Sequence, residues 1–181
     1  IVIGSSWEAD EQILIPVLQR PEFQHFKIII APHEPSVGNV QRLCAQFKSA
    51  VPYSSYLNYP DVNARVMVID NIGLLNILYK YGTIAYIGGG FGKGIHNTLE
   101  PAAFGLPIIF GPKFEKFEEA RQFVARAGAF PVHHSEQLTN VLQQLQIPEF
   151  YDAASKAVLL YLEENKGASE VAIAWFRENI R

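Results

Sequence analysis

Short apolar runs alternate along the chain with segments whose apolar positions recur every three or four residues. Ile1 to Ile3, Lys27 to Ala31, Val66 to Ile69, Thr83 to Ile87, Pro107 to Phe110 and Ala129 to Val132 are brief and rich in β-branched side chains, so they predict buried strands. Helical spacing runs through Glu8 to Arg20, which Pro21 ends, and through a segment that Ser36 can cap and that reaches Phe47. It recurs over Gly73 to Lys80, Asn97 to Phe104, Glu115 to Ala127, Ser135 to Leu145, Glu149 to Glu163 and, past Gly167, Ser169 to Ile180. Nearly continuous apolar strands separated by helices imply a parallel sheet covered on both faces. The expected fold is therefore α/β, a doubly wound parallel sheet of about six strands.

At 181 residues the chain has the length of a single domain, taken here as 1–181. It opens directly on a strand, without an initiator methionine or leader, so we expect it to be part of a longer protein. With 49% hydrophobic and 18% charged residues it is globular rather than disordered, and no apolar run reaches membrane-spanning length. A formal charge of −3 argues against general nucleic-acid binding. Cys44, the single cysteine, falls in an apolar helical pattern and reads as a structural thiol in a reducing compartment.

Ligands of doubly wound sheets bind outside the carboxyl ends of the strands. That rule gathers Gly4-Ser5-Ser6-Trp7-Glu8, Pro32-His33-Glu34, Asp70-Asn71-Ile72-Gly73, the loop from Gly88 to Ile95, and Gly111-Pro112-Lys113 at one rim. The loop is the strongest signal: a buried strand runs into five glycines, Gly88, Gly89, Gly90, Gly92 and Gly94, and then into a polar helix start. Residues without side chains leave amide N–H groups uncovered, and the following helix adds its unpaired N–H groups and positive dipole end, which suits a phosphate.

Several residues at this rim have chemistry to offer, each with a structural alternative. Glu100 can accept both hydroxyls of a ribose or can stabilise its helix start. Asn97 can cap the helix or contact a ligand, and His96 and Lys93 can meet a phosphate or remain solvated. His33 can stack on a base or simply form a turn, while Glu8, Asp10 and Glu11 complement a helix N-terminus. His133-His134 lacks the further ligands of a metal site. The first turn is Gly-Ser-Ser-Trp rather than a dinucleotide fingerprint, and no phosphate-loop lysine or nucleophile triad is present.

In order and spacing, Gly4-Ser5-Ser6-Trp7-Glu8, Ala31-Pro32-His33, Asp70-Asn71-Ile72-Gly73-Leu74, Gly88-Gly89-Gly90 and His96-Asn97-Thr98-Leu99-Glu100-Pro101-Ala102-Ala103 resemble the C-terminal half of 3-deoxy-D-manno-octulosonic acid (Kdo) transferases. The resemblance extends from the first residue to near the last. It implies the Rossmann-like C-terminal half of a GT-B fold in an inverting glycosyltransferase that moves Kdo from CMP-Kdo to the lipid A precursor of lipopolysaccharide. By position, Pro32 and His33 would border the cytidine, and Ile72, Gly73 and Leu74 would line the nucleotide pocket. Asn97, Thr98, Leu99 and Glu100 would hold ribose and phosphate, beside Gly89, Gly90, Lys93 and His96. The sequence departs from the family at His33, where arginine is usual, at Leu74, where glutamate is usual, and at Thr98, where proline is usual. CMP recognition would then rest more on backbone contacts, and Lys93 or Lys113 would meet the Kdo carboxylate.

The same resemblance implies no cofactor and no metal, only the donor substrate CMP-Kdo. The general base, the lipid A precursor site and the membrane contact would belong to a missing N-terminal domain, so the chain alone is expected to be inactive. The whole enzyme would work at the cytoplasmic face of the bacterial inner membrane, with this domain soluble. Two other readings remain open: the donor domain of another GT-B enzyme, such as a UDP-sugar transferase or a UDP-GlcNAc 2-epimerase, and a non-catalytic nucleotide-binding module.

Overall fold

The computed structural model describes residues 1–167, Ile173, residues 175–177 and Asn179. Seven parallel strands form one sheet: β1 (Val2–Ser6), β2 (Ile28–Pro32), β3 (Ala50–Pro52), β4 (Val66–Val68), β5 (Ala85–Ile87), β6 (Ile108–Phe110) and β7 (Ala129–Pro131). Their spatial order is β3-β4-β2-β1-β5-β6-β7. From β1 the chain steps to β2, passes to the edge strand β3 and returns inward to β4, then crosses to β5 and winds outward through β6 and β7. The switch point lies between β1 and β5, where Val2 faces Ala85 and Gly4 faces Ile87.

Among the described residues eight α-helices accompany the sheet, six in its connections and two after β7: α1 (Glu8–Leu18), α2 (Val37–Ala45), α3 (Tyr53–Asn58), α4 (Leu75–Leu78), α5 (Leu99–Ala102), α6 (Glu118–Ala125), α7 (Ser135–Gln144) and α8 (Pro148–Glu164). Alternation along the strands splits the core into two layers. Ile3, Ile28, Ile30, Val66, Val68, Tyr86 and Ile109 face Leu14, Leu18, Val40, Leu43, Leu138 and Leu142 of α1, α2 and α7. Val2, Ala85, Ile87, Ile108, Phe110 and Ala129 face Tyr79, Ala102, Phe123 and Val158. A fully buried side chain such as Phe123 contributes about 2 to 3 kcal/mol, which makes these layers the source of the fold's stability.

The sheet has one more strand than the sequence reading predicts. β3 is a three-residue, half-buried edge strand carrying Pro52, too short to show a periodicity and placed where proline costs no ladder bond. The helix expected over 73–80 becomes α4 and a 3-10 turn, Tyr79–Tyr81, and that expected over 97–104 contracts to the four residues of α5. Gly105, at φ +69, ends α5. The closing helix expected over 169–180 falls largely outside the described residues. No helix among the described residues is long and apolar enough to cross a membrane.

Candidate functional site

A cleft of about 380 Å³ opens at the switch point, lined by Ser5, Gly73, Leu75, Asn76, Tyr79, His96, Asn97 and Glu100. Its walls come from the carboxyl ends of β1, β4 and β5, where a doubly wound sheet binds its ligand. A larger hollow of about 520 Å³ lies at the opposite edge, beside Gln19, Gln46 and Arg65. There Nε and Nη2 of Arg65 donate to the carbonyls of Leu18, Phe23, Gln24 and Phe26, which holds the α1–β2 connection.

The glycine loop is built differently from the expected phosphate cradle. Gly88 N donates to Gly4 O, Gly92 N and Gly94 N to Gly89 O, Ile95 N to Lys113 O and His96 N to Gly88 O. Gly89 N donates to Oδ2 of Asp10 across 2.9 Å. Most of the loop's amides are thus satisfied within the protein. What demands glycine is close packing of backbones: a Cβ on Gly88 would lie 2.1 Å from Ser5 O, and one on Gly90 would lie 2.5 Å from Gly111 N. The loop is a wedge between the turns after β1 and β6.

Asp10 holds that wedge. It is fully buried, and its carboxylate accepts from Tyr86 Oη at 2.9 Å, Gly89 N and Trp7 N at 3.0 Å. The bond to Trp7 N is the reach back of a third helical residue to its cap, the role read from the sequence. The other two bonds are long-range and invisible to local reasoning. Burial first, then the Asp10 charge and hydrogen bond, push the Tyr86 hydroxyl far above its usual pKa, so it remains a donor. Glu11, next in line and also buried, accepts from Ser6 Oγ at 2.8 Å and pairs with Arg42 at 2.6 Å, which ties α1 to α2.

Ser5 stands in a bulge of β1, between Gly4 opposite Ala31 and Ser6 opposite Pro32, with φ +53. A non-glycine residue held there costs about 1 to 2 kcal/mol, and the conformation puts Ser5 on the cleft wall. Neither its hydroxyl nor that of Tyr79 makes a hydrogen bond among the described residues. Burial, and after it the charge of Glu100, raise the Tyr79 pKa well above the ordinary phenol value, so it too is a donor.

On the facing wall Asn97 uses both ends of its amide: Oδ1 accepts from Leu99 N at 2.9 Å and Nδ2 donates to Glu100 Oε1 at 3.1 Å. It therefore caps α5 and aims Glu100 at once. Among the described residues Glu100 is the one formally charged side chain in the lining. With only four residues, α5 supplies little of the dipole that the expected longer helix promised.

Of the residues singled out in the sequence, Gly73, His96, Asn97 and Glu100 share the cleft wall. Thr98 is enclosed with its Oγ1 unpartnered, Gly89 and Gly90 are buried behind the wall, and Leu74 is half-buried. Ile72 and Leu99 are exposed on the rim. Lys93 is exposed on the loop, while Lys113 Nζ donates to Gly92 O at 2.7 Å. Pro32 is buried beside a second, smaller hollow with Glu8, Glu11 and Arg42, and exposed His33 stacks on Trp7. Leu75, Asn76 and Tyr79 complete the lining without having been singled out, with Ser5, which the sequence placed at this rim only as part of the turn after β1. Tyr79 and Leu75 belong to an apolar helical pattern that reads as core, so only the bend after Gly73 reveals them. Among the described residues no three His, Cys, Asp or Glu side chains gather as a metal site.

No family model matches the chain. The 3-deoxy-D-manno-octulosonic acid transferase of Rickettsia typhi is 28% identical over 149 residues, 80% of this chain and 32% of that protein. Its namesake in Aquifex aeolicus is 28% identical over 150 residues, 80% of this chain and 41% of that protein. The crystal structure of the C-terminal CMP-Kdo binding domain of WaaA from Acinetobacter baumannii matches with a TM-score of 0.76 at 22% identity, covering 89% of this chain and 87% of that one. The resemblance to Kdo transferases read from the motifs is borne out by these relatives, and the Rossmann-like fold of a GT-B C-terminal half by the solved domain. The chain spans roughly a third of the length of the curated relatives it matches.

Proposed function

We propose that this chain is the donor-nucleotide domain of an inverting glycosyltransferase that moves Kdo from CMP-Kdo to the lipid A precursor of lipopolysaccharide. The observation that carries the reading is the cleft at the β1/β5 switch point, where Asn97 aims Glu100 opposite the unbonded hydroxyls of Ser5 and Tyr79. The relatives named for Kdo transfer, and the similar solved domain named for CMP-Kdo binding, supply the substrate class.

In this reading Glu100 accepts hydrogen bonds from the ribose hydroxyls, Gly73 lets the nucleoside approach the turn after β4, and His96 and Asn97 border the phosphate. Pro32, His33, Ile72, Leu74, Gly89, Gly90, Lys93, Thr98 and Leu99 form the surrounding shell. The acceptor hydroxyl attacks the anomeric carbon of Kdo as the bond to the phosphate oxygen breaks on the opposite face. A general base takes the hydroxyl proton, and the CMP that departs keeps the bonding electron pair. Neutral donors already in place stabilise that growing charge without reorganising. The reaction needs no cofactor from this domain. General base, lipid acceptor site and contact with the cytoplasmic face of the inner membrane belong to the remainder of the whole enzyme.

Calorimetric titration of the chain with CMP, UMP and NAD tests this. CMP is expected to bind in preference to the other two, and Glu100→Ala to weaken it by about 10- to 100-fold, the worth of hydrogen bonds to a charged acceptor. A preference for UMP would move the assignment to a UDP-sugar enzyme. With CMP-Kdo and a lipid A precursor, the chain alone is expected to show no transfer, and turnover would overturn the placing of the general base outside it.

A further inference from the structure

Three rings from three different turns meet at the mouth of the cleft. Trp7 lies in the turn between β1 and α1, His33 follows β2, and His96 closes the glycine loop. His33 packs against both of the others: it stacks on Trp7, centroids 4.2 Å apart at an interplanar angle of 24°, and lies tilted by 31° against His96 at 4.6 Å. The Trp7 indole N–H donates to Nε2 of His96 across 3.3 Å.

An indole nitrogen can only donate, so Nε2 of His96 holds a lone pair, and the proton of a neutral ring must reside on Nδ1. Burial, and after it the charge of His33, hold the His96 pKa below the usual value, against the pull of Asp10. The ring is therefore neutral at pH 7. Its Nδ1 has no partner among the described residues, and the ring forms part of the cleft wall. With the proton on Nδ1 that atom donates to an anion's oxygen; with the proton on Nε2 it would set a lone pair against it.

We infer that Trp7 is a positioning residue: by donating to Nε2 it locks His96 in the Nδ1–H tautomer and presents an uncharged N–H donor to the anionic part of a nucleotide in the cleft. The ligand half of this rests on the donor-site reading above. His33, packed against both rings, keeps their planes from turning. The device suits a cleft whose one formal charge is negative, because a neutral donor forms no competing ion pair with Glu100.

Trp7→Phe keeps a ring against His33 and removes the N–H. Nitrogen-15 NMR of the imidazoles is expected to report the Nδ1–H form of His96 in the native chain and its loss in Trp7→Phe. CMP should bind the variant about 5-fold more weakly, the worth of one neutral hydrogen bond. His96→Asn, whose amide N–H stands in for Nδ1–H, should bind CMP within about 2-fold of the native chain and make Trp7→Phe silent in a double-mutant cycle. An unchanged tautomer in Trp7→Phe, or an equal loss in both backgrounds, overturns the inference and leaves the donor site standing. Failure of the native chain to bind CMP overturns the donor reading and the ligand half with it, and the tautomer comparison alone then decides whether Trp7 sets the proton's position.

Discussion

Replacing Asp10 by alanine is expected to destabilise the protein by about 4 kcal/mol, among the larger effects a single substitution has. Three donors lose their acceptor: the Tyr86 hydroxyl and the amides of Gly89 and Trp7. The carboxylate is fully buried, so water does not replace it without opening the structure. For a chain of this length the melting temperature should fall by about 8 to 16 °C, and urea unfolding should show a lower midpoint at unchanged slope. CMP binding should weaken too, because the loop that ends in His96 and Asn97 loses its anchor. Asp10→Asn separates the charge from the geometry. Its amide oxygen can still accept from Gly89 and Trp7, and its NH2 can donate to Tyr86, whose hydroxyl also accepts. That variant should cost about 1 to 2 kcal/mol, the difference between charge-assisted and neutral bonds. Equal losses for Asn and Ala would show that the bond network is not what Asp10 contributes.

Gly88→Ala should cost at least about 3 kcal/mol, the upper range for overpacking a core. The added methyl would lie 2.1 Å from Ser5 O, 2.6 Å from Ser5 C and 2.7 Å from Ser6 Cα. All three are backbone atoms, so no side chain can turn aside. Relief requires β1 and β5 to part where Gly88 N bonds Gly4 O at 2.8 Å, and that also moves Ser5 out of the cleft wall. Stability and CMP affinity should therefore fall together. Gly38→Ala is the control: nothing lies within 4 Å of its added methyl, it sits in α2, and it should stabilise by about 0.5 to 1 kcal/mol. A Gly88→Ala protein as stable as the native one would refute the packing account of the glycine loop.

The two sets of variants also mark where sequence reasoning succeeds. The strands of the sheet's centre were legible because a strand buried on both faces is written as a continuous apolar run, as in Ile28-Ile29-Ile30. The rim position of the candidate site followed from the same alternation, since parallel strands put all their carboxyl-end turns on one edge. β3 was not legible, because three half-buried residues with a proline carry no period. Nor were Ser5 and Tyr79 as wall residues, since a strand-end serine and a helical tyrosine have ordinary local explanations. The glycine cluster was legible as a loop at this rim, but the packing that demands its glycines was not. Its amides mostly serve Gly4, Gly88, Gly89, Asp10 and Lys113, and its lack of side chains serves the close approach of three turns.

The order of amino acids by itself determined the α/β class, the doubly wound sheet, the edge that carries the site and the resemblance to Kdo transferases, because each is encoded in local periodicity or in short ordered motifs. Only the tertiary structure decided which donors and acceptors remain free for a ligand. Whether an amide, a carboxylate or an imidazole nitrogen is already spent depends on partners distant in the chain: Asp10 on Tyr86 and Gly89, Trp7 on His96, Gly88 on Gly4. Those pairings arise from packing, and no local pattern carries them.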